Sequence, residues 1–203
     1  MMSISVLTML ALVVTATPAA LPESELTPEQ CLGGGPGDPI RIEVFSDFEC
    51  PACRNFFLDS IRPVLKDYCS QGKVCVVYFE FPLPGHKYSR QASQYVKAAQ
   101  KLGRQQYFTV MEAIYANQEK WYRDGSLDDT VLKALGPDCY FRLRRQMLYP
   151  SIEEEIKNEI ALGQKREVTA TPTLFVYGMG KKQKVVGPLS YSVLKDFFDR
   201  IVK

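Results

Sequence analysis

Ile40-Arg41-Ile42-Glu43-Val44-Phe45-Ser46-Asp47-Phe48-Glu49-Cys50-Pro51-Ala52-Cys53 is the stretch on which the fold turns. Residues 40–45 alternate and are rich in β-formers, so they read as a strand. Beyond Cys53, Phe57, Ile61, Val64, Leu65 and Tyr68 fall at helical spacing. Two cysteines two residues apart therefore open a helix directly after a strand. The free N–H groups and the positive dipole end of that helix stabilise the thiolate of Cys50. Pro51 fits the first helical turn, where its missing N–H costs nothing and its φ is already helical. Such a pair can exchange electrons with another dithiol.

The pattern extends on both sides of that pair. Gly72 closes the first helix, and residues 73–81 form a second strand whose Val-Cys-Val-Val-Tyr-Phe run predicts burial on both faces, as in a central parallel strand. Strand, helix and strand of this length make a right-handed crossover. After Phe81-Pro82-Leu83-Pro84-Gly85 the spacing is helical for about eighty residues, roughly 86–166. Ala92, Tyr95, Val96, Ala99 and Leu102 form one apolar stripe, and Tyr107, Phe108, Met111, Ile114 and Tyr115 another. Val131, Leu132 and Leu135 lie on a short further helix. Ser151-Ile152-Glu153-Glu154 reads as a capping box opening a helix with Ile152, Ile156 and Ile160 on one face, which assigns Glu153, Glu154 and Glu155 to helix-terminus chemistry. Residues 173–177 and 184–186 bracket Gly178-Met179-Gly180 as a hairpin. Leu194, Phe197, Phe198 and Ile201 end the chain as an amphipathic helix. The order is β-α-β, helical block, β-β-α.

Length and composition fit one globular domain with an inserted subdomain: 203 residues, 46% apolar and 24% charged. A net charge of +2 implies no nucleic-acid or acidic-membrane partner. Residues 4–14 are mostly apolar, nothing before Glu23 is charged, and small residues follow at 16–20, so residues 1–20 read as a secretory signal peptide, although a basic n-region is missing. An uncleaved membrane anchor is the alternative. Residues 21–39, rich in Pro, Gly and Glu, read as a flexible leader without a core, with the domain running from 40 to 203. Six cysteines in an exported chain permit disulfides, and with a single histidine, His86, the composition does not supply a zinc ligand set. No metal, nucleotide or flavin cofactor is called for, because two sulfurs hold the electrons themselves.

The element order, the C-x-x-C opening the first helix and Thr171-Pro172 before the third strand resemble a thioredoxin fold carrying a helical insertion. More narrowly, the chain resembles the DsbA-like extracytoplasmic thiol-disulfide oxidoreductases. The match rests on residues 43–53, on Phe81-Pro82-Leu83 with His86, and on Val168-Thr169-Ala170-Thr171-Pro172-Thr173, and it covers roughly residues 40–202. The resemblance implies that Cys50 is the exposed low-pKa sulfur and Cys53 the buried one. It also implies that Pro172 is cis beside them and that Thr171 offers its backbone to an extended substrate. It implies a dithiol oxidase of unfolded or cysteine-containing secreted proteins, recycled by a membrane redox partner. The same scaffold run as a reductase or isomerase, and a non-enzymatic peptide-binding or chaperone module, are the alternatives. Several thioredoxin-fold enzymes carry a buried carboxylate six residues before the first cysteine; here that position is Val44, with Glu43 one residue off and on the opposite strand face. Glu43 and Asp47 are candidates for assisting proton transfer. Pro51-Ala52 lacks the histidine of the most oxidising members, which leaves the direction of electron flow open.

Four cysteines remain. Cys69 and Cys75 flank Gly72 and are candidates for a local bridge, whereas Cys31, in the leader, has Cys139 or another chain as a candidate partner. His86 is assigned to local packing and helix entry, and Trp121 and Tyr122 to the core of the insert.

Overall fold

The computed structural model describes residues 26–202. The signal-peptide reading of residues 1–20 lies outside them. Among the described residues a five-stranded sheet runs in the order β1-β3-β2-β4-β5, with β1 at Cys31–Gly33, β2 at Ile40–Ser46, β3 at Val74–Glu80, β4 at Thr173–Gly178 and β5 at Lys181–Val186. β2 and β3 are parallel, as their crossover demands, and β1, β4 and β5 join antiparallel. β3 is buried along its whole length, which is why it shows no alternation. β5 is a largely exposed edge whose Lys181, Lys182 and Lys184 discourage pairing with another chain, and it begins three residues earlier than the β-formers alone indicate.

Helix α1 (Pro51–Phe56) and helix α2 (Arg62–Asp67) are joined by one wide π-turn at Phe57–Ile61, where a single continuous helix is expected from spacing. Pro63 supplies the reason: it cannot donate to the carbonyl four residues back, and its ring crowds that carbonyl. Gly72, at φ 67°, closes the segment in the left-handed conformation.

Between β3 and β4 lie α3 (Ser89–Leu102), α4 (Arg104–Ala116), α5 (Gln118–Asp124), α6 (Leu127–Leu135), α7 (Pro137–Gln146) and α8 (Pro150–Lys165), and α9 (Tyr191–Ile201) ends the fold. The β-α-β, helical block, β-β-α order is the one legible in the sequence. One apolar core lies between one sheet face and the helices, and holds Val44, Tyr78, Phe57, Tyr95, Tyr115 and Trp121. A second, smaller one on the opposite face gathers Phe45, Phe79, Phe81 and Phe175.

Three local expectations need correction. The stretch 21–39 is not a free leader beyond residue 27: Pro28–Gln30 is a helical turn, β1 pairs with β3, and Cys31 and Leu32 are buried, because β3 would otherwise present an unpaired apolar edge. The helix expected to start with a box at Ser151 has Tyr149 as its N-cap, with Pro150 in the first turn. Glu153 instead receives hydrogen bonds from Arg90 and Gln94 of α3, and Glu155 pairs with Lys101, so the acidic run ties α8 to α3. Trp121 is buried with its indole N–H on the Ile114 carbonyl, but Tyr122 is 57% exposed on the far side of α5.

The cysteines pair across strands. Cys31 and Cys75 form a disulfide with Cα atoms 5.8 Å apart, stapling β1 to β3. This overturns both the Cys69–Cys75 bridge and the Cys31–Cys139 pairing. Cys75 belongs to the Phe45 side of the sheet and Cys69 to the helix side, so a bridge between them would have to cross the sheet. Cys50, Cys53, Cys69 and Cys139 are free thiols.

Candidate active site

β2 ends at Ser46, and residues 47–50 turn the chain into α1, with Cys50 as N-cap at φ −72°, ψ 117°. This extended cap exposes the Cys50 sulfur at the helix end and turns the Cys53 side chain inward, where it is fully buried. The Cys53 thiol, hydrogen-bonded to its neighbour, holds the Cys50 thiol down at about 5 from an ordinary 9.0. Partial burial opposes that shift, while Thr171 and the backbone N–H groups of Cys53 and Ala52 add to it. Cys53 moves the other way: burial first, then the hydrogen bond to Cys50 and its charge, push its thiol well above the ordinary value, with Ser46 and the Asp47 backbone opposing. One sulfur is thus an accessible thiolate at neutral pH and the other a buried thiol.

The loop before β4 closes the site from the other side. The Thr171–Pro172 peptide is cis, and the Thr171 carbonyl accepts the Cys50 thiol at 3.4 Å. The Pro172 carbonyl accepts the Gly187 N–H at 2.8 Å, and the Thr173 hydroxyl donates to the Ala170 carbonyl at 2.7 Å, so the turn is fixed on both flanks. The structure therefore brings together Cys50, Cys53, Thr171 and Pro172 from stretches about 120 residues apart in sequence.

Neither carboxylate considered for proton transfer faces the sulfurs. Glu43 lies on the opposite sheet face, bound by Arg166 at 2.6 Å, Tyr177 at 2.9 Å and Arg41 at 3.0 Å. The Asp47 carboxylate is buried and accepts from the N–H groups of Glu49 (2.7 Å) and Leu83 (2.6 Å), from the Ser89 hydroxyl, and pairs with His86 Nδ1 at 2.9 Å. It organises the 81–88 loop over the site, and this gives His86 its place: the ring is held by Asp47 at the entry to α3. Only the Asp47 backbone reaches the cysteines, its carbonyl accepting the Cys50 N–H at 3.3 Å.

Gln118 is a residue that pattern reading does not single out. It is buried at the start of α5, and its amide donates to the carbonyls of Phe48 at 2.6 Å and Cys50 at 3.1 Å. The inserted helices thus clasp the cysteine loop. Its sequence signal, a glutamine in a polar Asn117-Gln118-Glu119-Lys120 run, looks like solvated surface. The Phe48 ring packs tilted against Tyr115 with centroids 4.7 Å apart, and Arg54 donates to the Tyr115 carbonyl at 3.2 Å, so α4 supports the same loop. Among the described residues no cluster of metal-ligating side chains occurs.

A family model described as thioredoxin matches residues 27–200, which includes the segment carrying β1. A protein of Bacillus cereus named probable disulfide bond formation protein D is 26% identical over 144 residues, covering 69% of this chain and 66%, just under two thirds, of the relative's own length. Among solved structures, a thioredoxin-like oxidoreductase from Silicibacter pomeroyi is 26% identical, with TM-score 0.65 over 82% of this chain and 88% of that one. The alpha-DsbA1 variant of Wolbachia pipientis shares the fold at TM-score 0.69 and 19% identity, covering 83% of this chain and 88% of its own. BdbD from Bacillus subtilis does so at TM-score 0.67 and 21% identity over 82% and 89%. The order of elements, the cysteine pair at the head of α1 and the extent of the family match lead to one assignment: the chain belongs to the thioredoxin family.

Proposed function

We propose that this chain is an extracytoplasmic protein thiol-disulfide oxidoreductase that donates the Cys50–Cys53 disulfide to cysteines of exported, incompletely folded proteins. The observation that carries the reading is the division of labour between the sulfurs: Cys50 accessible with its thiol held at about 5, Cys53 buried and held high. A substrate thiolate attacks Cys50 Sγ, the Cys50–Cys53 bond breaks, and the electron pair stays on Cys53. A second substrate thiolate then attacks its own sulfur in the mixed disulfide and expels Cys50. The substrate leaves oxidised by two electrons and the enzyme leaves as a dithiol. A thiolate this stable favours the reduced enzyme and makes the disulfide a strong oxidant.

Thr171 and Pro172 form the substrate-binding edge, with the Thr171 backbone beside Cys50 placed to pair with an extended segment. Return to the disulfide requires an electron acceptor, and a membrane redox protein fills that role. The buried Cys31–Cys75 disulfide fits an oxidising compartment, periplasmic or otherwise outside the cytoplasm. The apolar stretch at 4–14 supports export.

The test is oxidation of a reduced, unfolded, disulfide-containing protein by the stoichiometric oxidised chain. The reading expects transfer of one disulfide per chain, abolished in Cys50→Ser; Cys53→Ser, offered instead the disulfide form of the substrate, is attacked into and retains a mixed disulfide through Cys50 as one substrate thiolate leaves. If Cys50→Ser still promotes recovery of the substrate, the chain is a binding module and the proposal fails.

A further inference from the structure

Apolar side chains on a folded surface are normally scattered one at a time, so a cluster of them calls for an occupant. Three of the large apolar or aromatic side chains exposed in this fold lie between positions 141 and 149: Phe141 at 66%, Leu148 at 82% and Tyr149 at 56%. All three stand on α7 or on the turn that follows it.

The helix explains their placing. Leu143 is buried, and Tyr140 and Met147, three residues before it and four after, pack against the same core. That fixes the inward side of α7, so Phe141 and Arg145, four apart, lie on the opposite side with Arg142 beside them. Beyond Gln146 the chain stays coiled: the N–H groups of Leu148 and Tyr149 donate to the carbonyls of Arg145 and Gln146 at 3.2 and 3.1 Å. Leu148 is therefore carried one turn beyond Arg145 on the same outer side, with Tyr149 next to it, before Pro150 starts α8.

Charge is sorted along the same side. α7 carries one acid, Asp138, in its first turn, where the helix dipole favours it, and arginines at 142, 144 and 145. Arg144 flanks the surface and is engaged, donating to the Tyr95 hydroxyl at 2.7 Å and pairing with Asp128 at 3.1 Å. Glu153 and Glu155 of α8 are held by Arg90 and Lys101 of α3; Glu154 is exposed. Arg142 and Arg145 are exposed and pair with no carboxylate among the described residues. Two open guanidinium groups thus stand among three apolar side chains. A leucine 82% exposed protrudes instead of lining a groove, which suits entry into a soft interface better than the grip of a partner's side chain. Aromatic and leucine side chains settle at the acyl boundary of a bilayer, while arginines keep their heads at the lipid phosphates.

We propose that the α7–α8 corner is a membrane-contact surface, seating Phe141, Leu148 and Tyr149 in the interface of an anionic phospholipid bilayer with Arg142 and Arg145 on the lipid phosphates. Among the described residues no helix is long and apolar enough to cross a bilayer, so the contact is peripheral and reversible. The whole-chain charge of +2 predicts no acidic-membrane partner. The corner reverses that expectation, because the attraction acts within a Debye length of about 10 Å at 0.1 M salt and follows local charge. The inference does not depend on the dithiol reaction.

The test is co-sedimentation of the full chain with protein-free vesicles of phosphatidylglycerol and phosphatidylcholine in equal parts, against phosphatidylcholine alone. Binding to the anionic vesicles is expected at about 0.1 M salt, weakening at about 1 M, where the Debye length falls to about 3 Å. Arg142→Gln with Arg145→Gln should lower the partition coefficient about 30-fold. Phe141→Ser with Leu148→Ser should lower it at least about tenfold, the effect of partly burying two such side chains. All four positions are exposed, so both variants should melt with the wild type and keep the Cys50–Cys53 exchange. Trp121, the sole tryptophan, is buried, so Phe141→Trp adds a surface reporter whose emission should shift to the blue and be quenched by bromine-labelled acyl chains. No binding to the anionic vesicles overturns the proposal and leaves the corner to a protein partner. Equal binding by the wild type and both double variants, with Phe141→Trp unquenched, overturns it too and places the contact elsewhere, residues 4–14 included. Quenching of Phe141→Trp in a chain held down by residues 4–14 still places the corner in the bilayer.

Discussion

Protonating Cys50 should cost the reduced chain much of its stability advantage. The sulfur is held at about 5 in the fold against 9.0 for the free group. The folded value is the depressed one, so the stabilisation is complete above the unfolded value and lost as pH falls through about 5. At about pH 7 the folded thiol is ionised and the unfolded one is not, which leaves two pH units of linkage, each about 1.4 kcal/mol. Solvent reaches the half-buried sulfur, and allowing for its screening leaves a contribution of about 2 kcal/mol. The assay is urea unfolding of the reduced wild type and of Cys50→Ser between about pH 7 and about pH 4. The wild type should lose about 2 kcal/mol more than the variant over that interval, with ultraviolet absorbance of the thiolate disappearing at a midpoint near 5. Parallel stability curves, or a thiolate midpoint above about 8, would refute the reasoning, because Cys50 would then be an ordinary cysteine.

Three other substitutions follow from contacts in the fold. Replacing Cys31 and Cys75 by serine opens a cross-link between residues 44 apart and should lower unfolding free energy by about 4 kcal/mol in urea titration, with the Cys50–Cys53 exchange retained at low temperature. Gln118→Ala leaves the buried carbonyls of Phe48 and Cys50 without its amide; a stability loss of about 1–3 kcal/mol is expected, together with a changed Cys50 alkylation rate at fixed pH. Gly163→Ala would place a Cβ 2.5 Å from the Phe81 ring and 3.1 Å from the Phe45 ring, so despite better helix propensity it should destabilise by about 1–3 kcal/mol, read as a fall in Tm.

What the sequence made legible is what period and punctuation encode. β2, β3 and the apolar faces of α3 and α4 follow from spacing, and Gly72 marks its turn because only a left-handed residue closes it. The cysteine pair and Thr171-Pro172 stand out because few residue types perform their chemistry, and the fold brings them within 3.4 Å. β1 was not legible: three residues between a proline-rich stretch and Gly34 carry no alternation, and their order comes from the unpaired edge of β3 and the Cys75 sulfur. The Cys31–Cys75 pairing depends on which sheet face each sulfur occupies, a tertiary property. Gln118 is hidden for a related reason: a glutamine in a polar run reads as surface until the inserted helices fold over the cysteine loop. Asp47 has the residue type and position for proton transfer, but four donors converge on its side chain, so its work is to hold the 81–88 loop.

The most direct test of the central claim is the reduction potential of Cys50–Cys53 in glutathione buffers, measured with Cys69 and Cys139 replaced by serine and the Cys31–Cys75 disulfide intact. A stabilised Cys50 thiolate predicts a value toward about −120 mV, where strong disulfide donors lie. A value near about −270 mV would contradict the account and make the chain a reductase.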